Sequence, residues 1–176
     1  YPLAMNRVLG TQFKIITGYP DASATMLAME RGEIGGQGSN SLATIKTNHA
    51  DWIKDKKVNF LVQIGTKRDR ALPDVPLLTE LAKNDADRKV LEFVSSGVAM
   101  GRPFLAPPDV PKLRINILRS AFNATMADPA FLADVKRLKM EVNPSTWEEL
   151  AAITASVSSA SPEVIARTKA VGTLKD

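Results

Sequence analysis

The sequence contains no cysteine, and His49 is its only histidine. Without cysteine the chain can form no disulfide bond, no thiolate nucleophile and no cysteine-bound zinc site. One imidazole without thiolates is also a poor ligand set for a transition metal. We therefore expect neither a metal ion nor another cofactor. The lack of cysteine does not identify the compartment, because cytosolic and periplasmic proteins can both lack it.

Long apolar runs and a secretion signal are also lacking. Apolar-rich stretches such as residues 60–64 and 115–118, each of which contains one polar amide residue, are far shorter than the roughly 20 residues of a transmembrane helix. No basic segment followed by an apolar core and a cleavage site opens the sequence. The start, Tyr1-Pro2-Leu3, is instead typical of the middle of a folded protein. We expect any secretion signal to lie upstream of it.

A large excess of one charge sign is missing as well. The 23 basic and 19 acidic residues give a net charge of +4. Basic and acidic residues are interleaved, as in residues 54–57 (KDKK) and 67–70 (KRDR), and no stripe of basic and aromatic residues typical of single-strand binders occurs. We therefore expect no nucleic-acid partner. The small net positive charge is what an ordinary solvated surface carries. The alternative is that this charge attracts anionic ligands.

The sequence does contain an alternation of predicted strands and helices. Apolar and β-branched residues predict strands at residues 12–17, 33–37, 58–64 and 98–105. Helical periodicity and capping residues predict helices from residue 21 or 23 to 31, at 40–47, 50–55, 76–83, 85–95 and 110–126, and helix starts at 128–129, 145–148 and 161–163. The alternation through the first two thirds predicts α/β layers with a largely parallel sheet.

Polar residues near His49 do not predict an enzyme. Ser39, Ser41 and Asp51 are close to His49 in the sequence, but the nucleophile-elbow pattern Gly-x-Ser-x-Gly is absent. The glycine-rich residues 35–38 lack the last glycine of a dinucleotide fingerprint. We expect His49 to be a solvated residue at a helix end and the glycine-rich segment to be a tight turn. No catalytic residue is predicted.

A binding site is better supported, at the turn between the first predicted strand and the helix after it. Residues 17–24 comprise a strand end, a Gly-Tyr-Pro turn and a helix start. A helix N-terminus presents unpaired N–H groups and the positive end of the helix dipole, which attract anions. In α/β sheets such turns lie at the carboxyl ends of the strands, where ligands bind. Every βα unit has such a turn, so the alternative is that Tyr19 simply packs.

A family likeness is carried by four segments, which are residues 9–19 (LGTQFKIITGY), 28–34 (AMERGEI), 72–77 (LPDVPL) and 100–111 (MGRPFLAPPDVP). The last segment is the most specific, and its continuation to residues 128–131 (DPAF) also fits. Together they resemble the substrate-binding receptors of tripartite tricarboxylate transporters, also called Bug receptors. The likeness covers nearly the whole chain in the expected order.

The resemblance implies an α/β fold of the periplasmic-binding-protein type II, a Venus flytrap. The fold would be incomplete, with one full lobe plus the C-terminal helices and strands of the other. Residues 1–100 would form the second ligand-binding lobe, and residues 101–176 the crossover strand and the C-terminal helices of the first lobe. The resemblance further implies a bacterial, periplasmic, non-enzymatic receptor that passes a small carboxylate-bearing solute, an organic acid, to membrane transporter subunits. The alternative is the ligand-sensing effector domain of a regulatory protein.

The resemblance places the ligand at two polar segments. The implied ligand-binding residues are Tyr19, Pro20, Asp21, Ala22, Ser23, Ala24, Gly38, Ser39, Asn40 and Ser41. The family's loop usually reads Gly-Tyr-Pro-Gly-Gly, whereas here Asp21 and Ala22 stand at the last two positions. Asp21 can occupy the helix N-terminus with its own carboxylate. We therefore expect recognition through Ser23, Ser39, Asn40 and backbone amides rather than through a ligand carboxylate at the helix start.

The predicted helix at residues 110–126 needs a partner for its apolar residues. Leu113, Ile117, Leu118 and Phe122 are expected to form one apolar face. In half a receptor that face lacks its native neighbours, and large exposed apolar patches are unusual on soluble proteins. Repacking within the chain and self-association of the fragment are the two predicted outcomes.

Overall fold

The computed structural model of the chain describes residues 1–138, residue 140 and residues 142–173. Their regular secondary structure is almost entirely helical, with 57% helix and 1% strand, and they form no sheet. The prediction of an α/β Venus-flytrap fold is therefore wrong for the part of the chain that the structure describes. Residues 174–176, the end of the second predicted unit, lie outside the described residues.

The described residues form nine α-helices and one short 3₁₀ helix. The α-helices are α1 (Pro2–Leu9), α2 (Ala22–Glu30), α3 (Leu42–Asn48), α4 (Ala50–Lys54), α5 (Asp85–Met100), α6 (Lys112–Ala127), α7 (Pro129–Arg137), α8 (Trp147–Ser158) and α9 (Pro162–Gly172). The 3₁₀ helix covers Leu78–Leu81, between α4 and α5. Helix α1 was not predicted, and the helix predicted at residues 76–83 is reduced to this 3₁₀ turn.

Side-chain caps explain where five of the helices begin. The residue before each helix accepts a hydrogen bond from the backbone N–H three residues later; these caps are Asp21, Asn84, Asp128, Thr146 and Ser161. Such a bond satisfies one of the N–H groups that a helix start leaves unpaired. The predicted starts of α2, α7 and α9 are confirmed. The capping box of α8 pairs Thr146 with Glu149, one residue later than predicted.

The segments predicted as strands make no ladder in the described structure. Residues 12–17 are irregular, residues 33–35 are bends, and residues 36 and 37 are irregular. Residues 58–64 contribute only one isolated parallel bridge, from Gln63 to Leu77. Residues 98–100 belong to α5, while Phe104 and Leu105 are irregular and strongly exposed. A strand needs a neighbouring strand for its N–H and C=O groups, and these segments find none among the described residues.

Two small apolar cores hold the helices. The first lies between α1, the 3₁₀ helix, α5 and α9, and its buried residues are Ala4, Met5, Val8, Leu78, Val90, Leu91 and Val171. The second lies between α2, α3 and α4, and consists of Met26, Ile45 and Trp52. The first core joins helices from both ends of the chain, so its formation requires contacts between residues far apart in sequence.

An ion pair connects α5 to α9 beside the first core. The Arg167 guanidinium donates a hydrogen bond of 2.6 Å to Asp87 Oδ1. Asp87 Oδ2 also accepts a hydrogen bond of 2.8 Å from the Asn84 side chain. The Asp87 side chain is only 12% exposed, so its charge depends on these two partners for the interactions that water would otherwise supply.

Helix α6 buries none of its residues. Its half-buried side is formed by Ile115, Arg119, Phe122 and Met126, where the Arg119 guanidinium lies 3.8 Å from the centre of the Trp147 ring. Leu113, Ile117 and Leu118 are exposed. The single apolar face predicted from Leu113, Ile117, Leu118 and Phe122 is therefore wrong, because only Phe122 points toward the rest of the described structure.

Candidate functional site

The start of α2 is occupied by the side chain of Asp21. This residue has an extended backbone, with φ −156° and ψ −179°, and its Oδ1 accepts a hydrogen bond of 2.8 Å from the N–H of Ala24. The Thr25 hydroxyl donates a bond of 2.9 Å to the Asp21 carbonyl. The protein's own carboxylate thus fills part of the position that a ligand anion would take.

Gln37 brings the two predicted ligand segments together. Its side-chain nitrogen donates a hydrogen bond of 3.3 Å to the carbonyl of Ala22. Its side-chain oxygen accepts a bond of 3.2 Å from Asn40 Nδ2, and the same Asn40 nitrogen lies 3.0 Å from the sulfur of Met26. The Asn40 oxygen accepts from the N–H of Ser41, at 2.8 Å. Gln37 therefore connects residues 19–24 with residues 38–41.

Gln37 was not predicted as a site residue; it was placed at the end of the predicted strand at residues 33–37 and within a tight turn. A signal was present, because an amide side chain between glycines can reach backbone groups on either side of a turn. The pattern could not say which backbone group it would reach. The structure shows that it reaches α2, fifteen residues earlier in the sequence.

The other predicted site residues lie in the same two segments. Tyr19 and Ala24 are half-buried, whereas Pro20, Ser23 and Ser39 are exposed. Within the part of the chain that the structure describes, the hydroxyls of Ser23 and Ser39 have no hydrogen-bond partner. These hydroxyls can both donate and accept, so they suit recognition of a polar ligand.

Gly38 packs tightly against the start of α1. A Cβ atom at this position would lie 2.8 Å from Cγ of Pro2, which is too close for any side chain without a shift. A helix that was not predicted therefore forms one wall beside the second ligand segment. The need for glycine here arises from this close approach rather than from the backbone angles.

His49 lies between α3 and α4 and contacts other side chains. Its ring centre is 4.4 Å from that of Trp52, and its Nδ1 is 3.5 Å from Glu30 Oε1. The side chain is 26% exposed, so the expected solvated histidine is only partly correct. Asp51, the acid closest in sequence, is paired with Lys57 at 2.7 Å. The hydrogen bond from Lys57 lowers the pKa of the Asp51 carboxyl.

Two further properties of the described residues bear on the kind of site. They contain no group of three or more His, Asp or Glu side chains arranged to hold a metal ion. None of their helices combines the length and apolar character needed to cross a bilayer.

Comparison of the chain with protein-family models, curated proteins and solved structures finds no match. The function must therefore be argued from the residues and their arrangement.

Replacing Asp21 is expected to separate its capping role from its charge. Asp21→Ala removes the acceptor for the Ala24 N–H and should lower the free energy of unfolding by about 1 kcal/mol. Asp21→Asn keeps the acceptor and should change it by only a few tenths of a kcal/mol. Urea denaturation followed by circular dichroism measures both variants. Equal effects of the two substitutions would show that the cap does not stabilise α2.

Proposed function

We propose that this chain captures a small carboxylate-bearing solute outside the cytoplasm and hands it to a membrane transporter of the tripartite tricarboxylate type, without transforming it. The main support is the ordered set of segments that resembles Bug receptors, above all residues 100–111. The proposal uses the polar groups of residues 19–24 and 38–41, which we call the candidate polar surface. It does not invoke a cleft between two α/β lobes.

The chemistry of that surface favours a polar ligand. It offers the hydroxyls of Ser23 and Ser39 and the N–H groups of Ala22 and Ser23 at the start of α2. The Asn40 amide already bonds within the turn, so a ligand would reach it only by replacing one of those bonds. N–H groups at a helix start favour anions, and hydroxyls can donate to carboxylate oxygens. The Asp21 carboxylate opposes a second negative charge at the same place. A solute whose carboxylate meets the hydroxyls rather than the helix start fits this arrangement best.

Ligand binding is tested by thermal unfolding with a panel of mono-, di- and tricarboxylates and aromatic acids. A solute that binds the folded chain should raise the melting temperature, and the rise should grow with solute concentration. Asp21→Asn should tighten binding by about two- to fivefold, because interactions of exposed charges amount to at most about 1 kcal/mol. Binding should weaken in Ser23→Ala.

Asp128→Asn is the matched control for this experiment. Asp128 also caps a helix, α7, and accepts a hydrogen bond of 2.8 Å from the N–H of Phe131. The substitution removes the same charge and keeps the same kind of cap, so it should leave solute affinity unchanged. If no acid in the panel raises the melting temperature of the unmodified chain, carboxylate capture is refuted. If Asp21→Asn and Asp128→Asn strengthen solute binding equally, the solute does not bind beside Asp21.

A further inference from the structure

We propose that the exposed side of α6 is a self-association surface, which pairs in antiparallel orientation with α6 of a second copy of this chain. We call this surface the α6 seam. It consists of Leu113, Ile117, Ser120, Ala124 and Ala127, all of them exposed. This inference concerns assembly and goes beyond the proposed capture of a solute.

The spacing of the α6 seam is that of helices that pair side by side. Its members are separated by four, three, four and three residues along the chain. With about 3.6 residues per turn, this spacing keeps all five on one narrow stripe, as in a coiled-coil seam. The half-buried side of α6 already contacts Trp147 and Phe104 through Arg119 and Phe122. The seam is on the opposite side of the helix and has no partner within the described chain.

Side-chain size along the α6 seam favours an antiparallel pair. The large residues Leu113 and Ile117 stand at its start, and small residues at its end. A surface hollow of about 250 Å³ lies at the small end, lined by Ala124, Thr125, Asp128 and Phe131. Antiparallel pairing brings the large end of each copy to the small end and hollow of the other, as close packing requires. Parallel pairing would instead place Leu113 and Ile117 against the same large residues of the partner. It would also leave gaps between the facing alanines at the other end of the seam.

Charge favours the same orientation. The start of α6 carries Lys112 and Arg114, has no acidic residue in its first turn, and has no side-chain cap. Its end is followed by Asp128. Antiparallel pairing places the partner's Asp128 near Lys112 and the uncapped N-terminus, where an anion is favourable. Parallel pairing would instead bring Lys112 close to the partner's Lys112, with mutual repulsion.

Cysteine cross-linking reads the orientation directly, because the chain has no cysteine of its own. In an antiparallel pair, Ser120 lies near the two-fold axis and faces the partner's Ser120. Leu113 faces the partner's Ala127 and is about 20 Å from the partner's Leu113, at about 1.5 Å per residue. A disulfide requires Cα atoms about 4.4–6.8 Å apart. Under mild oxidation, Ser120→Cys should form a covalent dimer, and Leu113→Cys should not.

A mixture of Leu113→Cys and Ala127→Cys chains should then give the mixed dimer. If Leu113→Cys alone cross-links as readily as Ser120→Cys, the pair is parallel and the proposal is wrong. If neither cross-links and light scattering gives a monomer mass at every concentration, the α6 seam is not an interface. Circular dichroism of each variant confirms that the helices are intact.

Two neighbouring residues provide a matched pair for measuring affinity. Ile117 in the seam and Leu118 beside it are 59% and 57% exposed. Ile117→Lys places a charge inside the interface and should weaken dimerisation at least about tenfold, whereas Leu118→Lys should change it by less than about threefold. Equal weakening by the two variants would overturn the assignment of the seam.

The charge arrangement is tested by a double-mutant cycle. Lys112→Glu should weaken the dimer, because the new glutamate faces the partner's Asp128. Adding Asp128→Asn should then recover at least half of the loss, since the repulsion disappears while the cap of α7 is kept. Additive effects of the two substitutions, with no recovery, would exclude the antiparallel pairing. Sedimentation equilibrium gives the dissociation constant of each variant.

Discussion

Replacing Leu91 with alanine is expected to lower the free energy of unfolding by about 2–5 kcal/mol. Leu91 has no exposed surface and packs in the core between α1, the 3₁₀ helix, α5 and α9. The substitution removes apolar contacts and leaves a cavity that the surrounding helices can only partly close. A chain with such a small core should show this loss as a large shift in the urea midpoint.

Leu61→Ala is the control, because Leu61 is 65% exposed and belongs to neither core. Its effect should stay within about 0.5 kcal/mol. Urea unfolding followed by circular dichroism measures both variants. Similar midpoints for the two would mean that Leu91 is not at the centre of the fold.

Replacing Arg167 with alanine is expected to lower the free energy of unfolding by about 3 kcal/mol. The loss arises from Asp87, whose side chain is 12% exposed in the intact chain and would retain only Asn84 as a side-chain partner. A buried carboxylate without its cation is costly, because water can no longer solvate it. The estimate is at the low end for such pairs, since the Arg167 side chain is 37% exposed.

Arg88→Ala is the matched control on α5. Arg88 forms a longer pair with Asp85, at 3.9 Å, and both side chains are well exposed. Exposed pairs of this kind contribute at most about 1 kcal/mol. The double variant Asp87→Ala with Arg167→Ala should be more stable than Arg167→Ala alone, because the unpaired charge is gone. A single Arg167→Ala variant as stable as Arg88→Ala would show that α9 does not depend on this pair.

Part of the structure around the candidate site was predictable. The capping role of Asp21 was expected from its position before a helix, and it is confirmed. Residues 19–24 were chosen from a Gly-Tyr-Pro turn before a helix and residues 38–41 from the family resemblance, and ligand binding at both stays a prediction. Their connection through Gln37 was not predicted, since a hydrogen bond across fifteen residues depends on how the intervening helix lies. The close contact between Pro2 and Gly38 was not predicted either, because it joins residues far apart in the sequence.

The predicted strands failed for a physical reason. Residues 58–64 combine apolar and β-branched residues, which favours a buried extended segment. Extension is indeed kept at Gln63, which forms the one isolated bridge to Leu77. A sheet requires neighbouring strands, which here would come from segments distant in sequence. No local pattern determines whether such strands lie side by side in the folded chain.

The sequence by itself determined where most helices begin. Asp128-Pro129 and Ser161-Pro162 start α7 and α9 as expected, because capping and the backbone restriction of proline act within a few residues. Only the tertiary structure decided which faces are buried and that no sheet forms among the described residues. It turned Leu113 and Ile117 of α6 outward and joined α5 to α9 through Asp87 and Arg167. Burial and pairing depend on neighbours far along the chain, so a local pattern can indicate an apolar face but cannot specify what covers it.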